Sequence, residues 1–332
     1  MKLASRIFLS TLALTLGVAA TGCGDGGSGT GGAGGTTTTA TGGTGGAGGT
    51  TSSGGGGTTS SGGAGGTTSS GGTGGAEAVA VSIAFEAHVG DELFDCGKSF
   101  TGQGSPPADL VISDYRLYVH DFALHKADGT LVPVTLDQDG LWQLEDLALL
   151  DFEDGSGNCA TGTPEKNAVV AGTAPPGEYD GIAFKVGVPF ALNHQDAAVA
   201  PSPLNLSAMF WNWNGGYKFL RVDAAVVGGD TPFLLHLGST GCVDDGNGGV
   251  ASCARPNRPE VSLTGFDPLT TAIVIDYGAV VAASDLKANG GGPPGCMSGP
   301  DDPECGPVFE RLGIDVADGS IHPDKQVLFH AK

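Results

Sequence analysis

An all-β fold, an antiparallel β-sandwich with long loops and disulfides, is predicted for residues 77–332 by three observations. Apolar and polar residues alternate with a period of two in several segments, the pattern of strands with one buried face. Clusters of Gly and Pro interrupt those segments at short intervals. No stretch sustains a 3.6-residue apolar period flanked by caps. The remaining residues divide in two. Residues 1–23 read as an export signal, and residues 24–76 as a linker that builds no core.

The first strand is written by Val79, Val81, Ile83 and Phe85, which alternate with Ala80, Ser82, Ala84 and Glu86. Residues 110–126, rich in β-branched and aromatic side chains, are expected to hold two strands, with His120 and His125 on the sheet surface. Residues 141–152 carry a denser apolar run that predicts a helical turn or a short helix. Further strands are expected at 131–136, 179–188, 218–227, 233–238, 260–263, 271–276 and 326–330. Together these elements predict sheets packed on each other, with the Gly- and Pro-rich loops carrying function.

The N-terminus reads as an address. Lys2 and Arg6 precede an apolar stretch from Ile7 to Ala20 that is short for a bilayer span. It ends in Ala20-Thr21-Gly22-Cys23, similar to a bacterial lipobox in which Cys23 is lipidated and becomes the mature N-terminus. The expected location is therefore the outer membrane, facing the periplasm or the cell surface, with the lipid as the sole membrane contact. Residues 24–76 hold 26 of the chain's 60 glycines, with Thr, Ser and Ala supplying almost all the rest. Such a segment cannot offset its ordering entropy and is expected to be disordered. As a flexible coil it would span about 40 Å r.m.s..

Charge narrows the partners. The chain carries 36 acidic and 15 basic residues, a net of −21. All but Asp25, Lys2 and Arg6 lie in residues 77–332. An acidic surface repels phosphate backbones, so nucleic acid is excluded as a partner. Besides Cys23 there are six cysteines, an even number in an exported chain, which predicts three disulfides. Fifteen pairings are formally open. Pairing within each loop, Cys242 with Cys253 and Cys296 with Cys305, is the cheapest, and leaves Cys96 for Cys159.

Several chemistries have nothing to stand on. The sequence contains no G-x-S-x-G, Walker loop, H-E-x-x-H or Rossmann fingerprint, and no motif singles out an acid pair, so the chain is not expected to be an enzyme. The string Asp244-Asp245-Gly246-Asn247-Gly248-Gly249 lacks the spaced ligands of a calcium loop and reads as a solvated turn. The informative residues lie mid-chain. His194 follows a strand, and His236 sits in another, alternating with Phe233, Leu235 and Leu237. Met209, Trp211 and Trp213 fall within five residues. Imidazole with thioether is a ligand set that suits copper, Cu(I) above all. A competing reading makes Trp211, Trp213 and Tyr217 an aromatic platform for a cell-surface binding or adhesion module that holds no metal.

Four blocks carry a resemblance: LLDFEDGSGNC (149–159), GVPFALNHQD (187–196), PLNLSAMFWNWNGGYKFLRVD (203–223) and FLLHLGSTGC (233–242). Together they resemble the MbnP-like family of exported copper-binding proteins, associated with methanobactin operons and often encoded beside a di-haem partner, MbnH. The resemblance implies copper as the cofactor, with His194 and His236 as ligands. It implies that the di-haem partner oxidises one tryptophan, Trp213 before Trp211, to kynurenine. Met209 is a candidate soft ligand. His88 is a candidate third ligand on chemical grounds alone. Asp196 and Asp223 are candidate acceptors that orient the ligand histidines.

Overall fold

The computed structural model describes residues 77–332. The export signal, Cys23 and the 24–76 linker lie outside the described residues. Two sheets carry the fold. The smaller is ordered Phe329–Ala331, Ile273–Asp276, Val79–Val89, Val169–Ala174, Thr135–Leu136, with Glu92–Leu93 added to Val79–Val89. The larger runs Glu260–Thr264, Gly181–Val186, Ala108–His125, Leu220–Val226, Phe233–Leu237, Gly295–Cys296. Two pairs are parallel, Phe85–His88 with Ile273–Asp276 and Leu234–Leu235 with Gly295–Cys296. The other ladders among the described residues are antiparallel, so the architecture is the expected sandwich with two parallel additions.

The sheets meet through one apolar core. Phe85 of the small sheet packs edge-on against Phe184 of the large one, with ring centres 5.8 Å apart. Phe184 also meets Phe329 at 5.0 Å. The Tyr115 hydroxyl donates to the carbonyl of Ile275 at 2.8 Å, satisfying a polar atom where the sheets touch.

Residues 110–126 form one strand and not two. Ala108–His125 is 18 residues long, about 60 Å of extended chain. It does not break because successive partners take it over: Ser99–Gln103 at its start, Leu220–Val226 and Leu147–Asp151 in its middle, Gly181–Val186 and Leu131–Pro133 at its end. Near residue 121 the strand bulges instead of breaking. Ala183 pairs with Ala123 but Lys185 with His120, so the long strand holds one extra residue there, and Asp121 has a φ of 58°. Because the strand is central and covered on both faces, Asp114 through His120 are all buried. His120 is therefore not a sheet-surface residue. At 4% exposure it belongs to the interior.

The helix expected within 141–152 is instead a hairpin of Gln143–Leu144 and Leu147–Asp151. Every residue of Leu147–Asp151 is buried, and such a run has no face to show a period. Three short helices escaped prediction, Phe190–Asn193, Tyr277–Val281 and Cys305–Arg311. The second is capped by Asp276, whose carboxylate accepts the Ala279 amide at 3.1 Å. The disulfides are Cys96–Cys159, Cys242–Cys253 and Cys296–Cys305, the pairing expected. Among the described residues no helix is long and apolar enough to cross a membrane.

Candidate metal centre

Leu220–Val226 and Phe233–Leu237 lie side by side, with Arg221 opposite His236 and Asp223 opposite Leu234. That register lets the Asp223 carboxylate reach back to His236 Nε2 at 2.6 Å. Since a carboxylate only accepts, Nε2 carries the proton and Nδ1 keeps its lone pair. Asp223 is held in turn by Arg221, whose Nη2 lies 2.6 Å from Oδ2. Burial pushes the Asp223 carboxyl up, but the hydrogen bonds from His236 and Arg221 outweigh it and hold it down at about 2. Burial lowers His236 against the opposing pull of Asp223, so its imidazole is neutral at neutral pH.

His194 is placed by the short helix Phe190–Asn193, which it closes. Its Nδ1 donates to the Trp213 carbonyl at 3.1 Å, which leaves the lone pair on Nε2. Asn193 is fully buried and works on both sides, with its Oδ1 taking the Tyr217 amide at 3.0 Å and its Nδ2 donating to the lone pair of His194 Nε2 at 3.2 Å, a contact that a metal on Nε2 would displace. This close approach needs Gly216, where φ is 75° and a Cβ would fall 2.4 Å from the Asn193 carbonyl oxygen. Burial also lowers the His194 imidazole, so it too is neutral.

A cavity of about 590 Å³ lies beside these residues, lined by His236, Trp211, Lys218, Cys242 and Met297 among others. Trp211 forms a wall by lying on Gly238, where a Cβ would come within 2.4 Å of the indole. The Cys242–Cys253 disulfide joins the two histidine environments, because Cys242 lines the cavity while Cys253 Sγ is 3.6 Å from His194 Nε2. The ligand-capable atoms of His194, Cys242 and Cys253 lie within 4.8 Å of one another. Oxidised sulfurs are not thiolate ligands, so that disulfide serves as wall rather than donor.

The structure thus brings His236 and Trp211 to one cavity, with His194 and the Trp213 backbone on the far side of a disulfide. Trp213 is 45% exposed. Met209 is fully buried in the apolar core. His88 lies on the small sheet, half-buried, with Nε2 3.2 Å from Glu86. Asp196 accepts the Ala198 amide at 2.9 Å, closing its own turn. Asp244 and Asp245 likewise accept amides of their own hairpin turn. The aromatic platform does not form, because Tyr217 is fully buried and its hydroxyl donates to the Leu204 carbonyl at 2.6 Å. Met297 is the thioether that sequence reasoning missed. It follows Cys296 in a loop of Gly, Pro and Ser, with no pattern around it to mark it.

The family model of MbnP matches residues 78–298 of this sequence. The chain belongs to the MbnP family. Its structure is similar to that of MbnP from Methylosinus trichosporium, with a TM-score of 0.71 and 34% sequence identity. That alignment covers 77% of this chain and 98% of the other. No curated protein matches it. The MbnP family is associated with the methanobactin copper system. All the cavity and histidine residues described above fall inside the MbnP match, Met297 included, whereas Cys305–Arg311 and Phe329–Ala331 lie beyond it.

Proposed function

We propose that this chain is an exported, lipid-anchored copper-binding protein of the periplasm or cell surface, a binding protein and not a catalyst. His194 and His236 hold the copper beside the two tryptophans, and a di-haem MbnH-like partner oxidises Trp213 to kynurenine. One observation carries the reading: His236 lines a cavity with Trp211 and Met297 while Asp223 occupies its Nε2, leaving Nδ1 as the donor. The residues fit the ion. Two neutral imidazoles and a nearby thioether are the soft and borderline donors that Cu(I) prefers. When bound, copper would supply a redox-active centre. The chain's own residues do the rest. Asp223 fixes the tautomer and ring of His236, the Trp213 carbonyl does the same for His194, and Trp211 with the disulfide limits water. Trp213 is the tryptophan that a docked partner reaches directly, being 45% exposed.

Titration of Cu(I) into the purified chain against a competing chelator tests the reading. Stoichiometric binding is expected for the wild type, and its loss for His194→Ala combined with His236→Ala. Asp223→Asn should weaken binding by about 10–100-fold, the usual cost of losing the partner that orients a ligand. Copper binding that survives the double substitution intact would sink the proposal. The oxidation is read separately. After incubation with the di-haem partner and its oxidant, the Trp213 peptide should gain one oxygen and lose one carbon. An unchanged peptide would remove the modification and leave copper binding standing.

A further inference from the structure

Where the long central strand bulges, the fold assembles a second set of donors that shares no residue with the centre above. His120 and Leu147 pair across the ladder, so the next residue on each strand brings Asp121 and Asp146 together. Asp146 sits in the two-residue turn of the 143–151 hairpin, and the bulge with its φ of 58° turns Asp121 toward it. One ligand-capable atom from each of His120, Asp121 and Asp146 lies within 4.8 Å of the other two.

Two exposed carboxylates side by side would mean little. The imidazole changes the reading. His120 is only 4% exposed, yet neither ring nitrogen has a hydrogen-bond partner among the described residues. Its Nδ1 lies 3.4 Å from Asp121 Oδ2 without hydrogen-bond geometry. Buried polar atoms are nearly always satisfied, so an imidazole with both nitrogens unpaired beside two carboxylates calls for a ligand.

We infer that His120, Asp121 and Asp146 form a metal site for a borderline divalent cation of the zinc class, distinct from the candidate copper centre. One imidazole nitrogen and two carboxylate oxygens are a donor set that such ions take, and the set contains no sulfur to favour Cu(I). Burial lowers His120 to about 4, which keeps its lone pair free at neutral pH. Burial, then the neighbouring Asp121, raises Asp146 to about 6, because two carboxylates this close repel. A cation between them would relieve that repulsion. Lys185 now lies 3.2 Å from Asp121, but Glu260 is 3.6 Å away and offers it a second partner. Both carboxylates are exposed and have rotamer freedom to close to zinc–oxygen distances of about 2.0–2.2 Å.

The test is calorimetric titration of Zn²⁺ into the purified full chain, with Asp146→Asn and Asp121→Asn as variants. Both positions are exposed, and Asn tolerates a positive φ at 121, so near-ultraviolet circular dichroism should show intact folds. We expect both variants to lose one zinc equivalent, or to bind it at least about tenfold more weakly. The zinc absorption edge of the wild type should report nitrogen and oxygen neighbours and no sulfur. Absence of zinc binding by the wild type, unchanged binding in either variant, or sulfur ligation would overturn the inference.

Discussion

Replacing Arg116 by Met is expected to destabilise the domain by about 3–5 kcal/mol, the range for removing one partner of a buried ion pair. The Arg116 side chain is 3% exposed and sits among three acids. Its Nε donates to Asp114 Oδ1 at 2.9 Å and its Nη2 to Asp114 Oδ2, a two-pronged contact. Glu153 lies 3.5 Å from Nη1, and Asp151 3.9 Å. Burial opposes the guanidinium charge, but the Asp114 hydrogen bonds and the acidic neighbours outweigh it and raise its pKa. Burial also drives Asp151 up to about 8 despite Arg116, so Asp151 keeps its proton at neutral pH. The charges that remain are Arg116 and Arg221 against Asp114, Asp223 and Glu153, with Arg221 Nη1 3.0 Å from Asp114 Oδ2. Without Arg116, Glu153 is left with only amide donors such as Thr163, in a site with no exposure. Urea denaturation reads the loss directly. It amounts to a large fraction of the roughly 5–15 kcal/mol that stabilises a domain. Arg116→Lys should rescue little, because an ammonium cannot span both oxygens of Asp114. A midpoint unchanged in Arg116→Met would show that the network is stabilised some other way.

The same network explains what the sequence could and could not reveal. Val79 to Phe85 are legible because one face of that strand is buried and the other is not. Ala108–His125 is illegible in its centre because both faces are covered, and alternation then carries no information. That is why Arg116, Asp114 and His120 gave no sign of being interior. The hairpin at 143–151 misled for the same reason, since an unbroken apolar run fits a strand and a helix equally. The histidines of the candidate centre were legible through the residue types around them. The Asp223–His236 contact depends on strand register, which only the paired strands Leu220–Val226 and Phe233–Leu237 reveal. Met297 depends on a loop closed by the Cys296–Cys305 disulfide, and nothing local in the chain announces where that loop lands.

The cysteine pairings lead to the second large effect. Substituting both Cys96 and Cys159 by Ala is expected to cost about 4 kcal/mol, against roughly 3 for either of the other two pairs. The difference follows from loop length. Cys96 and Cys159 are separated by 63 residues, the other pairs by 11 and 9, and unfolded-state entropy removed by a cross-link grows with the logarithm of that separation. Burial separates only the Cys242–Cys253 bridge from the rest. Cys96, Cys159, Cys296 and Cys305 all belong to the apolar core, so truncation to Ala removes packed sulfur from both of those pairs, and loop length is what sets 96–159 above 296–305. The Asn158 amide donates to the Cys96 carbonyl at 2.8 Å. A Cβ at Gly157 would fall 2.6 Å from that same carbonyl oxygen, so the two segments touch along their backbones. The loop so closed spans the long central strand and the 143–151 hairpin, and with them Arg116, His120, Asp121 and Asp146. Removing this bridge should therefore lower the unfolding midpoint most among the three and loosen the buried network with it. Removing Cys242–Cys253 should cost less stability but reach the copper centre, since that bridge lies between His194 and the cavity that His236 lines. Unfolding midpoints and Cu(I) affinities of the two double variants, measured side by side, separate these roles. If the 96–159 variant proved the more stable of the pair, chain entropy would not be what orders them.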